Sequence, residues 1–163
     1  MAKGDSLPDQ DHVTRWIKPR FVGKNDDGSV IVDKAGRPSM IFPHAFEMRE
    51  DEESLSITWL EHFGGTLGIQ LPLAADAVRT TTQSGTLKDK SGFAIGLVSH
   101  IKEAGSKHGA KLRVIEDPIN GNSGHSEVRR YPRSADLLYG ELAGDTFSLR
   151  YLYGEIRQAG WTP

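Results

Sequence analysis

The fold is decided by residues 45–63, which read AFEMREDEESLSITWLEHF. In this stretch Leu55, Ile57 and Trp59 alternate with serine and threonine, and this period of two predicts a half-buried β-strand. The acids at residues 50–53 come directly before it, and consecutive acids of this kind are typical of a turn kept in solvent. We therefore expect a core strand that contains Trp59 and is entered through an acidic turn. In such a turn Glu52 would contribute little to stability.

The composition bounds the class of protein. The 163 residues are the length of one domain, and 37% hydrophobic with 26% charged residues is an ordinary globular balance. The net charge of −2 gives no strong field toward nucleic acid or an anionic membrane, although nucleic acid stays open as a partner. The chain has no cysteine, which excludes disulfides, cysteine nucleophiles, thiolate zinc sites and iron–sulfur clusters. With no signal-peptide pattern and no run long enough to span a bilayer, the sequence predicts a cytoplasmic protein without a cofactor.

The rest of the chain supplies further elements around this strand. We expect a flexible tail over residues 1–10 and a single domain over residues 11–163. Strands are predicted at residues 11–18, 29–32, 93–98, 112–115 and 125–131, the second of them in a hairpin with residues 40–42. Helices are predicted over residues 73–82, 100–107 and 135–143, with Pro72, Ser99 and Ser134 at or near their starts. Residues 147–156 fit either a strand or a helix, and we favour helix or irregular structure.

Five or six strands and about three helices, in this order along the chain, predict an α+β fold. The sheet is expected to be mixed or mostly antiparallel, because strands precede and follow the helices instead of alternating with them.

Two of the six histidines are candidate acid–base residues. His12 begins the first predicted strand, and His125 begins a late strand directly after a loop rich in glycine and asparagine. An imidazole can give and take a proton near neutral pH, and Asp11 or Glu127 could hold such a ring in one tautomer. The alternative is that each histidine is an ordinary residue at a strand end.

Neighbouring polar residues are candidates for binding a substrate. His12 and Thr14 match an H-x-T element, of which two-histidine phosphoesterases carry two copies, but His125 is followed by Ser126 and Glu127, so the second copy is missing. An anion could be held by arginine side chains. In a regular strand, however, His12 and the next arginine along the chain point to opposite faces. The candidate binding residues are Arg15, Thr14, Ser126, Arg129 and Arg130.

Several known kinds of active site are excluded by missing residues. The H-x-E at His125 resembles that of zinc deaminases, but the cysteine ligands of that site do not exist in this chain. The sequence has no H-E-x-x-H metal motif, no Walker loop and no G-x-S-x-G elbow. No spacing of histidines and acids indicates a metal site, so we predict none from local motifs, and only a site formed through tertiary contacts stays open.

The chain resembles a group of small bacterial proteins of unassigned function. The likeness lies in LPDQDHVTRWIKP near the N-terminus, in AFEMREDEESLSITWLEHF, and in the later D-P…H-S-E-V pattern formed by Asp117, Pro118 and residues 125–128. The resemblance implies a compact cytosolic protein of bacteria or phages, and it implies no activity and no catalytic residues.

Two hypotheses about function remain, and the sequence does not decide whether the protein is an enzyme. The first is an interaction or accessory module that binds a protein or an anionic, phosphate-bearing partner. The second is a histidine-dependent enzyme acting on a phosphate-containing substrate, with His12 and His125 as its acid and base. The second requires both imidazoles to lie in one site.

Overall fold

The computed structural model describes residues 4–82 and 87–163, and in these residues six strands form one sheet. The strand order is β4-β5-β2-β1-β3-β6, and every neighbouring pair is antiparallel. The predicted α+β fold with a mostly antiparallel sheet is therefore confirmed. The strands are β1 (His12–Ile17), β2 (Leu55–Trp59), β3 (Gly92–Leu97), β4 (Arg113–Glu116), β5 (His125–Arg129) and β6 (Phe147–Leu152).

The strand that the alternating pattern predicts lies near the middle of the sheet. Leu55 and Ile57 are buried on one face of β2, whereas Ser56 is exposed on the other. Trp59 is partly buried against the main core, and its indole N–H donates a hydrogen bond to Asp11 Oδ2 at 2.9 Å. β2 is thus a half-buried strand whose other face carries polar side chains.

Helices lie on both sides of the sheet. The described residues contain four α-helices, of which the last has only four residues, so the prediction of about three helices fits the longer ones. A π-helical turn, Leu142–Thr146, extends the third helix, and short 3-10 helices occupy Pro19–Phe21, Pro43–Phe46 and Glu61–Phe63. The α-helices are α1 (Leu67–Thr81), α2 (Val98–Lys107), α3 (Asp136–Glu141) and α4 (Tyr153–Ile156).

The two faces of the sheet are covered unequally, and this inequality creates the open surface described below. One face packs on α2, α3 and the 3-10 helix at Pro43–Phe46 and carries the larger apolar cluster. On the other face α1 and α4 close over β1, β3 and β6, leaving part of β2, β5 and β4 polar and accessible. The smaller cluster under α1 includes Leu71, Ala74, Phe93, Tyr151 and Ile156.

The predicted start of the first helix and the predicted serine caps were wrong. α1 begins at Leu67, six residues before the predicted start, and Pro72 lies inside it. Neither Ser99 nor Ser134 caps a helix: α2 follows β3 directly with Leu97 at its N-cap, and α3 has Ala135 there, with no side-chain cap bond at either. Packing against the sheet, instead of local capping, defines where these helices begin.

The region from residue 147 to residue 156 also differs from the favoured interpretation. Phe147–Leu152 is a strand, β6, and only Tyr153–Ile156 is helical. Phe147, Leu149 and Tyr151 are buried while Ser148 and Arg150 are exposed, so the alternating pattern decides the structure over the competing helical spacing. β6 pairs with β3, and the register shifts between Phe93 and Ala94.

Two segments outside the sheet differ from what the sequence suggests. Gly4 and Leu7 donate backbone hydrogen bonds to Glu116 and Val114 of β4, so part of the expected tail is attached to the sheet edge. Residues 29–32 form isolated bridges with residues 24 and 38 instead of the predicted hairpin with residues 40–42. Residues 1–3 of the predicted tail lie outside the described part of the chain, as do residues 83–86.

Candidate functional site

The hydroxyl groups of Thr14 and Ser126 are used inside the fold. Thr14 is buried on β1 and donates its hydroxyl to the carbonyl oxygen of Ala94 at 2.9 Å. Ser126 is fully buried on β5 and donates to the carbonyl oxygen of Gly124 at 3.2 Å. Both side chains therefore satisfy backbone acceptors and face no open surface.

The Arg15 side chain also donates hydrogen bonds to backbone carbonyl oxygens. β1 and β2 pair only from Val13 to Thr14, and beyond this point the guanidinium of Arg15 lies between the chain segments. Its Nη1 donates to the Ser56 carbonyl at 2.8 Å and its Nε to the Ala45 carbonyl at 2.7 Å. Burial lowers the pKa of Arg15, and the charge of Glu52 opposes that effect.

His12 forms a pair with Glu61 at the end of β1. Glu61 lies in the 3-10 helix that follows β2, and its two carboxylate oxygens accept the backbone N–H of His12 and meet its Nδ1, each at 2.7 Å. With Nδ1 engaged by the carboxylate, the ring presents Nε2 outward. The His12 side chain is 47% exposed, so this pair sits at the rim of the sheet and not in a cleft.

His125 is held more deeply and by three polar atoms. Its Nδ1 lies 2.8 Å from the carbonyl oxygen and 3.2 Å from the Oδ2 of Asp117. Its Nε2 lies 3.2 Å from Ser56 Oγ. The side chains of His125 and Asp117 are 14% and 10% exposed, whereas Ser56 is exposed, so the three form a row that runs from the interior to the open face.

The structure does not bring His12 and His125 into direct contact. Thr14 pairs with Thr58, and Thr58 pairs with His125, so two strand spacings and two residues along β1 separate the histidines. Their Cα atoms are thus about 12 Å apart, since strands lie about 4.8 Å from one another and rise about 3.3 Å per residue. Each imidazole is bound to its own carboxylate, which makes two separate His–acid pairs.

Arg129 and Arg130 border an open depression on the uncovered face of the sheet. Its volume is about 820 Å³. Three acids occupy its β2 side, and three arginines lie on its β4 and β5 side together with Glu127. We call it the polar depression; it is lined by Asp51, Glu52, Glu53, Ser54, Ser56, Arg113, Glu127, Arg129 and Arg130.

The arginines of the polar depression are incompletely neutralised. Arg113 lies directly opposite Arg129 in the β4–β5 register, so two cations face each other on one surface. Arg129 Nε lies 3.0 Å from Glu127 Oε2. Within residues 4–82 and 87–163, Arg113 and Arg130 form no ion pair. Arg130 also adopts a left-handed backbone conformation, with φ of 58°.

The acids on the opposite side of the depression have partners. Glu52 Oε1 accepts hydrogen bonds from the backbone N–H and the Nε of Arg49, both at 3.0 Å. The guanidinium of Arg133 donates to the carbonyl oxygens of Arg49, Glu50 and Glu52 and closes the turn. This side is therefore a built turn and not only a solvated run of acids.

Sequence reasoning missed Ser56, Asp117 and Arg113. A signal for Asp117 was present, because a hairpin of the predicted strands at residues 112–115 and 125–131 would place it opposite His125. The alternation in β2 already puts Ser56 on the polar face. What the sequence lacks is the pairing of β2 with β5, which places Ser56 diagonally opposite His125, a residue 69 positions away in the chain.

A second serine–histidine pair lies at the end of β2. His62 Nε2 is 2.8 Å from Ser123 Oγ, and the imidazole rests against Trp59 and Phe63 with ring centroids 5.7 and 5.1 Å away. Both residues are exposed. Among the described residues, no carboxylate contacts the His62 ring, whereas Asp117 contacts the ring of His125.

A scan of protein-family models, a search of curated proteins and a search of solved structures each found no match. In the described part of the chain, no cluster of three or more His, Asp or Glu side chains could hold a metal ion. Within the same residues, no helix has the length and apolarity required to cross a membrane.

Proposed function

We propose that this protein is a cytoplasmic interaction or accessory module of bacteria or their phages that binds an anionic group of its partner in the polar depression. The observation that best supports this proposal is the cross-strand pair of Arg113 and Arg129. Like charges directly opposite each other on a sheet are destabilising, and no carboxylate within the described residues relieves Arg113. A bound phosphate or carboxylate would convert this repulsion into two favourable contacts.

The chemistry of the side chains supports an anionic partner. A guanidinium presents several N–H donors in one plane and matches the oxygens of a carboxylate or phosphate in a bidentate manner. Arg130, next to this pair, is kept in a left-handed conformation that costs a non-glycine residue about 1–2 kcal/mol. Strain of this size concentrates at binding and catalytic positions.

The acidic side of the depression restricts which anions fit. Asp51 and Glu53 would repel a ligand that is negative along its whole length, so the bound group should be a terminal carboxylate or phosphate. A partner that also carries a cation could place it against these acids. This charge pattern favours a specific ligand over a general polyanion such as nucleic acid.

The test is an NMR titration of the labelled protein with pyrophosphate and, separately, with succinate at matched ionic strength. We expect shifts at the amides of Ser56, Arg129 and Arg130, and about a tenfold or larger loss of affinity in Arg113→Gln, since a hydrogen bond to a charged group is worth about 1.5–3 kcal/mol. Lys111→Gln, an exposed cation that precedes β4 and does not line the depression, is the matched control. Equal losses in the two variants, or shifts elsewhere only, would contradict the proposal.

A second candidate is a histidine-dependent acid–base enzyme, and one observation favours it. Asp117 orients the His125 ring so that Nε2 faces Ser56 at the border of the polar depression. This version needs His125 alone, because His12 is engaged with Glu61 about two strands away. In this case His125→Ala abolishes turnover of an ester substrate and His12→Ala leaves it unchanged.

A further inference from the structure

We propose that Ser56, His125 and Asp117 form a nucleophile, a general base and a positioning residue that transfer the acyl group of an anionic carboxylic ester to Ser56 Oγ. This inference rests on the proposed function, because it takes the anion-binding arginines as the groups that hold the substrate.

The geometry of the three side chains carries the inference. A nucleophile within hydrogen-bond reach of a base, with the base oriented by a third group, is the arrangement that serine hydrolases of unrelated folds share. Here Ser56 Oγ lies 3.2 Å from His125 Nε2, and His125 Nδ1 lies 3.2 Å from Asp117 Oδ2. The arrangement is recognised by roles and distances, not by the order of residues in the chain.

The backbone fixes the tautomer that this chemistry needs. The carbonyl oxygen of Asp117 lies 2.8 Å from His125 Nδ1, and a carbonyl can only accept, so Nδ1 carries the proton. Nε2 is then the unprotonated nitrogen and accepts the hydroxyl hydrogen of Ser56. Asp117 Oδ2 stands ready to stabilise the positive charge that the ring acquires when it takes this proton.

The strand register places the three residues in one row. Asp117 N donates to the His125 carbonyl at 2.9 Å, and His125 is the diagonal neighbour of Ser56, whose direct partner on β5 is Glu127. Arg129 is the diagonal neighbour of Ser56 on the side away from His125. Ser56 therefore stands between a base and a cation along β5, with Glu127 directly opposite it, among the residues that line the polar depression.

The arginines indicate the class of substrate. An ester that carries a carboxylate or phosphate near its carbonyl group can place that anion on Arg113 and Arg130. The guanidinium of Arg129 is then the cation nearest in register to the oxygen that becomes negative in the tetrahedral intermediate. Binding of the substrate's anion to the arginines would thereby place its carbonyl carbon next to Ser56 Oγ.

The reaction balances without another reactant besides water. Ser56 Oγ forms a bond to the carbonyl carbon while its proton passes to His125 Nε2. The bond from carbon to the leaving oxygen breaks, and the leaving alcohol takes the proton from Nε2. Water then attacks the acyl-serine by the same route and releases the acid and free Ser56. No electron transfer occurs.

The second serine–histidine pair serves as an internal comparison. Ser123 lies 2.8 Å from His62 Nε2, closer than Ser56 lies to His125. His62 is exposed, however, and the described residues place no carboxylate or carbonyl on its other nitrogen. Orientation by a third group, not the serine–histidine distance, is thus the feature that favours Ser56.

The test uses the full chain and two kinds of probe. A fluorophosphonate forms a bond from phosphorus to an activated serine oxygen with loss of fluoride, and peptide mass spectrometry identifies the labelled residue. Mono-p-nitrophenyl succinate and p-nitrophenyl acetate are an anionic and a neutral ester with the same leaving group, and the released nitrophenolate is measured by absorbance.

We expect the label on Ser56 and faster turnover of the anionic ester, with its advantage lost in Arg113→Gln and reduced by salt. Ser56→Ala and His125→Ala should each lower turnover at least about 100-fold, the scale of positioned acid–base catalysis. Ser148→Ala, an exposed serine on β6 away from any histidine contact, should change nothing. In Asp117→Asn kcat should fall while KM for the anionic ester stays near the wild-type value, because the ring loses its orienting carboxylate but the arginines remain.

The outcomes separate this inference from the proposed function. Labelling at Ser123, or no label and no turnover in a folded protein that still binds pyrophosphate or succinate, would overturn the triad and leave the binding function standing. A labelled Ser56 with equal turnover of both esters and no anion binding would overturn the arginine assignment instead. Thermal melts of each variant distinguish lost chemistry from lost folding.

Discussion

Arg15 and Ser56 meet where β1 separates from β2, and Arg15 Nη1 donates to the Ser56 carbonyl oxygen at 2.8 Å. The hydroxyl of the same serine faces His125 on the opposite face of the sheet. A partly buried cation on one side thus binds the backbone of a residue that we propose as the nucleophile on the other. The role of Arg15 is to hold the site in place without entering it.

Replacing Arg15 by alanine should lower the free energy of unfolding by about 3–5 kcal/mol. The change removes two hydrogen bonds from a charged donor, each worth about 1.5–3 kcal/mol, and leaves the carbonyls of Ala45 and Ser56 without that donor. Urea unfolding followed by circular dichroism measures the effect. Arg20→Ala, which removes an exposed arginine from a short 3-10 helix, is the control and should cost less than about 1 kcal/mol. Similar costs for both variants would contradict this role.

The acidic turn before β2 gives a second prediction, and it revises the expectation from the sequence. Glu52 is only 14% exposed and accepts two hydrogen bonds from Arg49, whereas the Asp51 side chain is 84% exposed. Glu52→Ala should therefore cost about 1 kcal/mol, and Asp51→Ala should cost nearly nothing. Chemical denaturation of the two variants in parallel measures the difference in their free energies of unfolding. If the turn is only a solvated run of acids, the two variants should be equally stable.

Local pattern predicts five of the six strands, but it fails at residues 29–32, at β6 and at the starts of the helices. The alternation in Leu55–Trp59 predicts β2 because a strand with one buried face needs this pattern. The same pattern was present in Phe147–Leu152, where helical spacing competed with it, and burial against β3 decides in favour of the strand. Ser99 and Ser134 fit the residue preference of a cap, but the tertiary structure starts both helices elsewhere.

The sequence predicts only part of the candidate site. His125 could be selected from its residue type and its position at a strand end. Its partners could not, because Ser56 reaches it only through the β2–β5 register. Thr14 and Arg15 lie near His12 in the chain, yet a strand turns Arg15 to the face opposite His12, and the side chains of both residues bond to backbone carbonyls.

Arg130 gives a third prediction, in which stability and binding change in opposite directions. Its φ of 58° is left-handed, so Arg130→Gly should raise the free energy of unfolding by about 1 kcal/mol while weakening succinate binding. Ser134→Gly is the matched control, because Ser134 has a φ of 55° but does not line the polar depression. It should stabilise the protein to a similar extent and leave the binding curve unchanged. Thermal melts and the NMR titration test both variants, and unchanged affinity in Arg130→Gly would contradict the assignment of this arginine.

The pH dependence of stability should report the burial of Tyr131. Burial raises the pKa of Tyr131 far above its ordinary value of 10.0, although the nearby charge of Arg15 acts in the opposite direction. The phenol donates to the Phe46 carbonyl oxygen at 2.5 Å, which requires its proton. Below pH 10 both the folded and the unfolded chain keep this proton, so its contribution to stability is fully present.

Above pH 10 the unfolded chain loses the Tyr131 proton while the folded chain retains it, so the free energy of unfolding should fall by about 1.4 kcal/mol per pH unit from this group. Urea unfolding between pH 9 and pH 11 measures this slope. Tyr131→Phe should be less stable at pH 9, because the Phe46 carbonyl loses its donor, but should show a shallower decline. Burial also raises the pKa of Tyr139, so a smaller slope of the same sign should remain in this variant. Equal slopes in the wild type and in Tyr131→Phe would mean that the phenol is not buried in the folded protein.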